Sequence, residues 1–348
     1  MVVSASLPVA CGGGSPAAPT GPITAPGGEW TWIPFPDALC GDGSTTGIGV
    51  NLGAAGSRPL IYLEGGGACW SEETCYTLMT ASNFTAGYGA AQFASDAASM
   101  TGLAQPGGFF DRQAASNPFQ DYSYVYVPYC TGDVHAGTNV VKYDNSHTAH
   151  FVGYRNFAGY LQRLVPTFAG VDRVILAGSS AGGYGALFNW GQTQQAFGSI
   201  RVDMIDDSGT LMPPDVVAEG NGDEAAEVTA WNLSAVFPAG CATCAQDLSA
   251  SYGYDAQAYP DHRAALLSYA ADSVIPAFYG ITTAEFTTGL DEMIAAQIAP
   301  TSNFRSFLAG SSGHVLLFDP TLTSASVTVQ QFVTQMVSDD PTWASVQP

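Results

Sequence analysis

One stretch limits the folds open to this chain more than any other: residues 174–186, VILAGSSAGGYGA. An apolar run of strand character stops at Gly178, and a helix-compatible segment, 184–197, follows almost at once. Between them Gly178-Ser179-Ser180-Ala181-Gly182 fits G-x-S-x-G. A chain that passes this abruptly from buried strand to helix holds the central residue in a strained conformation, with its side chain exposed at the strand end. The residues two positions away on either side approach adjacent backbone and must be small; both are glycine. The turn therefore presents Ser180, not Ser179. The start of the helix aims the Ala181 amide at the same point and favours negative charge there. With 40 glycines in the chain the five-residue pattern can arise by chance. Its strand–turn–helix setting is what gives it weight.

The rest of the chain repeats the alternation. PLIYLEG, YSYVYVPY, RVILAG, RVDMID, AALLSYAA and FRSFLAG read as buried strands, and 154–168, 184–197 and 283–299 have room for helices. VTVQQFVTQMV reads as a closing amphipathic helix. Strands alternating with helices predict an α/β fold, a mostly parallel, doubly wound sheet flanked by helices. The sections around 70–120 and 210–260 are expected to be loop-rich insertions over that sheet. Residues 29–348 are read as one domain behind a flexible segment, 1–28.

A reactive serine needs a base and an acid, which in this architecture follow it in the order acid, then histidine. Of the five histidines, His314 follows the last expected strand, in AGSSGHVLLFD. Its competing reading is an ordinary loop histidine. Asp272 ends the second strand beyond the serine turn and is the expected acid; Asp207, at the end of the first, is the runner-up. An early strand ends in LEGGGACW, where bare backbone at Gly65, Gly66 and Gly67 can offer amides to an oxyanion. No G-K-[ST] follows this run, which argues against a phosphate loop.

Charge narrows the partners. The chain holds 30 Asp and Glu against 9 Lys and Arg, a net charge of −21. Nucleic acid and anionic membrane surfaces are thereby poor partners. Near the start, a small residue, Ala10, precedes Cys11, as in a bacterial lipoprotein signal. Pro8 and the lack of a basic leader depart from that pattern. Two readings stand: a lipid anchor at Cys11 on a truncated signal peptide, or a tail with an idle cysteine. The remaining Cys40, Cys69, Cys75, Cys130, Cys241 and Cys244 are even in number and predict disulfides in an oxidising compartment, with 15 possible pairings. Cys241 and Cys244, a lone C-x-x-C, are a weak zinc signal. No metal site is expected.

The ordered blocks LEGGGACW, PYCTGDVHAG, GSSAGGYGA, DDSG, ADSVI and SSGH, from about residue 30 onward, resemble the pectin acetylesterase/Notum family. The resemblance implies an α/β-hydrolase fold, a Ser-His-Asp triad of Ser180, His314 and Asp272, and no cofactor. It also implies an oxyanion hole from the amides of Gly66, Gly67 and Ala181, and a Cys69–Cys75 disulfide. Gly67 and His135 stand where relatives often carry tryptophan, and both are expected near the pocket mouth. The expected function is a secreted or surface-tethered carboxylesterase, read as a monomer, acting on acetylated polysaccharide. Acyl lipids, lipidated proteins and polyesters are alternative substrates, and an inactive binding lipoprotein is the rival class. A net charge of −21 opposes a polyanion such as pectin, and aromatic-rich segments at 70–88, 109–119 and 231–237 are expected to wall the pocket.

Overall fold

The computed structural model describes residues 21–348 other than 100–102, 104 and 221–223. Cys11 and most of the expected tether lie outside the described residues. The strands are β1 (Thr31–Leu39), β2 (Thr45–Asn51), β3 (Pro59–Leu63), β4 (Ser123–Val127), β5 (Asn139–Lys142), β6 (Thr148–Phe151), β7 (Arg173–Ser179), β8 (Arg201–Asp207), β9 (Ala264–Asp272), β10 (Phe304–Gly313), β11 (Thr323–Ser324) and β12 (Val327–Thr328). The helices are α1 (Ala90–Ala98), α2 (Gly153–Thr167), α3 (Ala181–Phe197), α4 (Pro214–Glu219), α5 (Glu224–Trp231), α6 (Ala250–Ala258), α7 (Ile275–Tyr279), α8 (Thr283–Met293) and α9 (Val329–Val337). Eight strands form one sheet in the order β1-β2-β4-β3-β7-β8-β9-β10. From β4 to β10 every neighbour is parallel; β2 joins β1 and β4 antiparallel.

The composition of each strand follows its place. The central strands β3, β4 and β7 are buried along their whole length, as a sheet covered on both faces demands. Apolar clusters fill both sides, one around Trp190 and Phe157, the other around Phe307 and Phe332. The sequence reading missed β1 and β2. Pro34 and Pro36 lie within β1, which is tolerable because β1 is an edge strand. β2 carries Gly47 and Gly49 because its neighbours leave no room. A Cβ at Gly47 would lie 2.2 Å from the Ile33 carbonyl oxygen, and one at Gly49 would lie 2.1 Å from the Phe93 ring. The insertions are partly helical: α1 lies in the first, and α4, α5 and α6 in the second.

Among the described residues three disulfides tie this frame together: Cys40–Cys130, Cys69–Cys75 and Cys241–Cys244. The first joins the end of β1 to the chain just after β4 and spans 90 residues. In the chain-entropy account a loop of that length stabilises by about 4–5 kcal/mol. At the N-terminal ends of the parallel strands, Arg173, Arg201 and Arg263 gather around Asp203 and Asp339. Arg201 Nε lies 2.7 Å from buried Asp203, and Arg173 pairs with both acids. A third of the chain's nine Lys and Arg residues is thus held at the end of the sheet away from the serine turn.

Burial sets the pH response of this fold. Asp206 and Asp255 are buried, and desolvation raises each carboxyl to about 7; Glu64 is raised to about 7 in the same way. Unfolded, such groups titrate near 4. The folded chain therefore holds protons that the unfolded chain releases between about pH 4 and about pH 7, and stability falls as pH rises through that window. Self-repulsion from the acidic surface acts in the same sense. The midpoint of thermal unfolding should be several degrees higher at about pH 5.5 than at about pH 8. Equal midpoints, or a higher one at alkaline pH, would show that these carboxyls are ionised in the fold.

Candidate active site

The serine turn sits at the C-terminal end of β7, between β3 and β8. Ser180 has φ 57° and ψ −123°, a conformation that non-glycine residues rarely adopt. Its neighbours explain how the turn is held. A Cβ on Gly178 would lie 1.9 Å from the Gly182 carbonyl oxygen, and one on Gly182 would lie 2.0 Å from that of Leu63, at the end of β3. The Ser180 amide donates to the Asp207 carbonyl across the β7–β8 ladder at 2.7 Å. Packing on both sides thus fixes Ser180 at the mouth of α3.

Asp272 and His314 come together by strand register. β10 pairs with β9 in parallel, with a shift between Ala309 and Ser312 that brings Gly313 opposite Asp272. This bulge seats the next residue, His314, over the carboxylate. His314 Nδ1 lies 2.9 Å from Asp272 Oδ2 and 3.2 Å from Oδ1. Asp272 is wholly buried. Its Oδ1 also accepts the amides of Val274 and Ile275, at 2.8 and 2.9 Å, at the start of α7. With Nδ1 committed as the donor to a carboxylate, Nε2 is left as the basic nitrogen. That atom is sealed from solvent and has no hydrogen-bond partner among the described residues. Ser180 and His314 line the same groove, without a hydrogen bond between Ser180 Oγ and Nε2.

Asp207, the runner-up acid, has other partners. Its Oδ2 accepts the Ser179 hydroxyl at 2.6 Å. Its two oxygens also accept the amides of Leu316 and Leu317, at 2.7 and 3.1 Å, two and three residues beyond His314. One buried carboxylate thereby fastens the serine turn to the histidine loop. Desolvation raises its pKa, while the Ser179 hydroxyl and the two amides oppose the shift. This role is not legible in the sequence, because it depends on three segments meeting.

The glycine run lies against the turn. A Cβ on Gly65 would come within 2.8 Å of Ser180 Cβ, so this loop has to be bare. Gly67 has φ 75°, and a Cβ there would meet the Thr80 carbonyl oxygen at 2.1 Å. The ring of Phe278 stands 3.3 Å from that position, so bulk missing at residue 67 is supplied by α7. Cys69, whose disulfide closes the loop, accepts the Trp231 indole N–H on its carbonyl at 2.9 Å. His135 departs from expectation. It is buried, donates from Nε2 to the Glu64 carbonyl at 2.8 Å and packs on Tyr129, so it supports the glycine strand from below and lines neither cavity at the turn. Burial lowers its pKa to about 4 and keeps it neutral.

Two unequal spaces meet at Ser180. One is a groove of about 480 Å³, lined by Glu64, Gly65, Gly66, Asp96, Tyr126 and His314 among others. The other is a pocket of about 50 Å³ walled chiefly by apolar and aromatic side chains, including Tyr184, Phe188, Leu211, Trp231, Ile275 and Phe278. Among the described residues neither is lined by a Lys or Arg. Sequence reading placed Trp231 in a wall correctly. The aromatics at 109–119 are different: Phe109, Phe110 and Phe119 are buried in the core against Tyr124 and Tyr122, because aromatic content signals burial without saying beside which face. Elsewhere, Glu72, Asp144 and His147 bring one ligand atom each within 4.8 Å of one another on exposed loops, and line neither space.

Comparison with known proteins bears on the family and the fold. The family described as pectinacetylesterase matches residues 33–262. Palmitoleoyl-protein carboxylesterase notum2 of Xenopus laevis is 34% identical over 158 residues, 43% of this chain and 29% of that protein. Human palmitoleoyl-protein carboxylesterase NOTUM is 27% identical over 187 residues, 50% of this chain and 34% of that protein. Pectin acetylesterase 4 of Arabidopsis thaliana is 28% identical over 160 residues, covering 44% and 36% respectively. The matched segment thus spans about a third of the length of each of these relatives. In fold, the chain is similar to the Wnt deacylase Notum of Drosophila, with a TM-score of 0.63 and 19% identity over 86% of this chain and 90% of that one. The strand order, the serine turn and the extent of the family match lead to one conclusion: this chain belongs to the pectinacetylesterase family.

Proposed function

We propose that the chain is a serine carboxylesterase that removes short acyl groups, acetyl among them, from neutral substrates such as acetylated polysaccharides. The observation that carries this reading is the position of Ser180 between two unequal spaces. The small apolar pocket suits the acyl group, and the wide groove, with its carboxylates and tyrosines, suits a hydroxyl-rich alcohol portion. Long-chain acyl groups, such as the one in the name of the Notum relatives, fit this pocket poorly. The absence of Lys and Arg from both linings among the described residues, on a chain of net charge −21, disfavours polygalacturonate.

In this mechanism Ser180 Oγ attacks the ester carbonyl while His314 Nε2 takes its proton. Asp272 holds the imidazole in the required tautomer and stabilises the imidazolium. The amides of Gly66, Gly67 and Ala181 stabilise the oxyanion, helped by the N-terminus of α3. His314 returns the proton to the leaving alcohol, and water then releases the acid from the acyl-enzyme. Asp207 acts on position, holding the turn and the histidine loop at a fixed separation. The three disulfides support a location outside the reducing cytoplasm.

Ser180→Ala should abolish turnover of p-nitrophenyl acetate and labelling by a fluorophosphonate probe, with an unchanged circular dichroism spectrum. Ser179→Ala should keep substantial activity. Hydrolysis near the wild-type rate by purified Ser180→Ala would sink the mechanism, and a wild-type protein that takes no label would favour an inactive scaffold.

Asp272→Asn should lower kcat by about 10⁴-fold, since the wrong tautomer is then favoured. Asp207→Asn should lower kcat by roughly 10- to 100-fold while KM stays nearly constant, as expected for lost positioning. A change confined to KM would assign Asp207 to substrate binding instead.

For substrate choice the test is kcat/KM for acetate release from acetylated xylan and acetylated pectin at low and high salt. Xylan should be preferred at low salt, and the gap should narrow as salt screens the repulsion. Pectin as the better substrate at low salt would refute the charge argument.

A further inference from the structure

The apolar pocket beside Ser180 is closed on one side by α5, and this helix turns a polar face toward it. Glu224, Glu227 and Trp231 are spaced by three and four positions, which puts them on one side of the helix. All three line the pocket, whereas Ala225 and Ala226 are exposed. A helix laid over an apolar space ordinarily does the reverse. Trp231 is fixed beside the glycine loop by its bond to Cys69. Glu224 lies two turns away, about 10 Å along the axis. Tyr279, one turn of α7 beyond Ile275, feels the charges of both Glu224 and Glu227. The pocket therefore runs from Ser180 and Ala181 toward the Glu224 carboxyl.

One oxygen of that carboxyl is left without a partner among the described residues. Glu224 Oε2 is sealed from solvent and unbonded among the described residues. Among the described residues its titratable surroundings are Asp247, Glu227 and Tyr279, none of them a cation. Burial, and then the charge of Asp247, raise its pKa to about 7. Near neutral pH it is in large part a protonated group that can both donate and accept. A buried polar atom left unpaired is unfavourable, and a ligand that pairs with it gains more than its own hydrogen bond.

We propose that Glu224 selects acyl groups whose far end carries a hydroxyl, so that the preferred substrates include esters of short hydroxy acids. The inference rests on the esterase reading above. With the ester carbonyl at Ser180, the chain follows the apolar wall and its terminal hydroxyl meets Glu224. The chemistry is unchanged: the acyl C–O bond breaks, water supplies the new hydroxyl of the acid and the proton of the alcohol, and the terminal hydroxyl takes no part. An ammonium end would have to shed its hydration against Phe188 and Leu211, whereas a hydroxyl sheds far less.

The test compares methyl esters that differ only at the chain end, followed by base uptake at about pH 7: methyl 4-hydroxybutanoate against methyl pentanoate, and methyl 6-hydroxyhexanoate against methyl heptanoate. In at least one pair the hydroxy ester should have a kcat/KM roughly tenfold higher, the scale of one net hydrogen bond. Glu224→Leu should reverse that preference, and Glu224→Gln, which keeps a donor and an acceptor, should preserve it. Because each value is a ratio on one enzyme sample, partial misfolding of a variant does not affect it. A wild-type preference for the methyl-ended ester in both pairs, or a ratio that Glu224→Leu leaves unchanged, overturns the proposal. Loss of the esterase reading would look different: no Ser180-dependent turnover of any ester, methyl acetate included.

Discussion

The close approach of three backbone segments at Gly178, Gly182 and Leu63 is the constraint on which the rest of the site depends. The oxygens there leave no space for a single added carbon at either glycine. The contact requires β3 and β7 to be neighbours, and it requires α3 to start without a linker. Ser180 takes a disfavoured backbone conformation because both flanks are already fixed. Strain at this residue, of order 1–3 kcal/mol, is offset by the burial of β7 and α3 around it.

Around that turn, two buried carboxylates do complementary things. Asp272 binds the ring of His314 and caps the start of α7, so the imidazole and the pocket wall take their positions from one group. Asp207 reaches the same loop from the other direction through Leu316 and Leu317. Neither is solvent-exposed, so their hydrogen bonds act in a medium of low dielectric, where geometry is held firmly. The histidine loop is thus secured both at the side chain of His314 and just downstream of it.

The central strands and the serine turn were legible because their constraints are local. Apolar runs bounded by glycine mark fully buried strands, and counting them puts Asp272 and His314 at successive strand ends. β1 and β2 were hidden by Pro34, Pro36, Gly47 and Gly49, residues that read as loop and are explained only by an edge position or a tight neighbour. The work of Asp207 could not be read, since its partners are 28 and more than 100 residues away. Glu224 was invisible for another reason. Its helix carries acid on the inward side, and a pattern reading assigns acid to solvent.

The Cys40–Cys130 bridge has a consequence for the covalent map of the molecule. The ring it closes contains β2, β3 and β4, together with the glycine loop beside Ser180. A protease cut at any exposed turn within that ring opens it without dividing the molecule. Both new ends stay tethered, and the nicked species keeps the mass of the intact chain plus one water until a reductant is added. Wherever proteases reach the chain, such a nick is a scar rather than a severance.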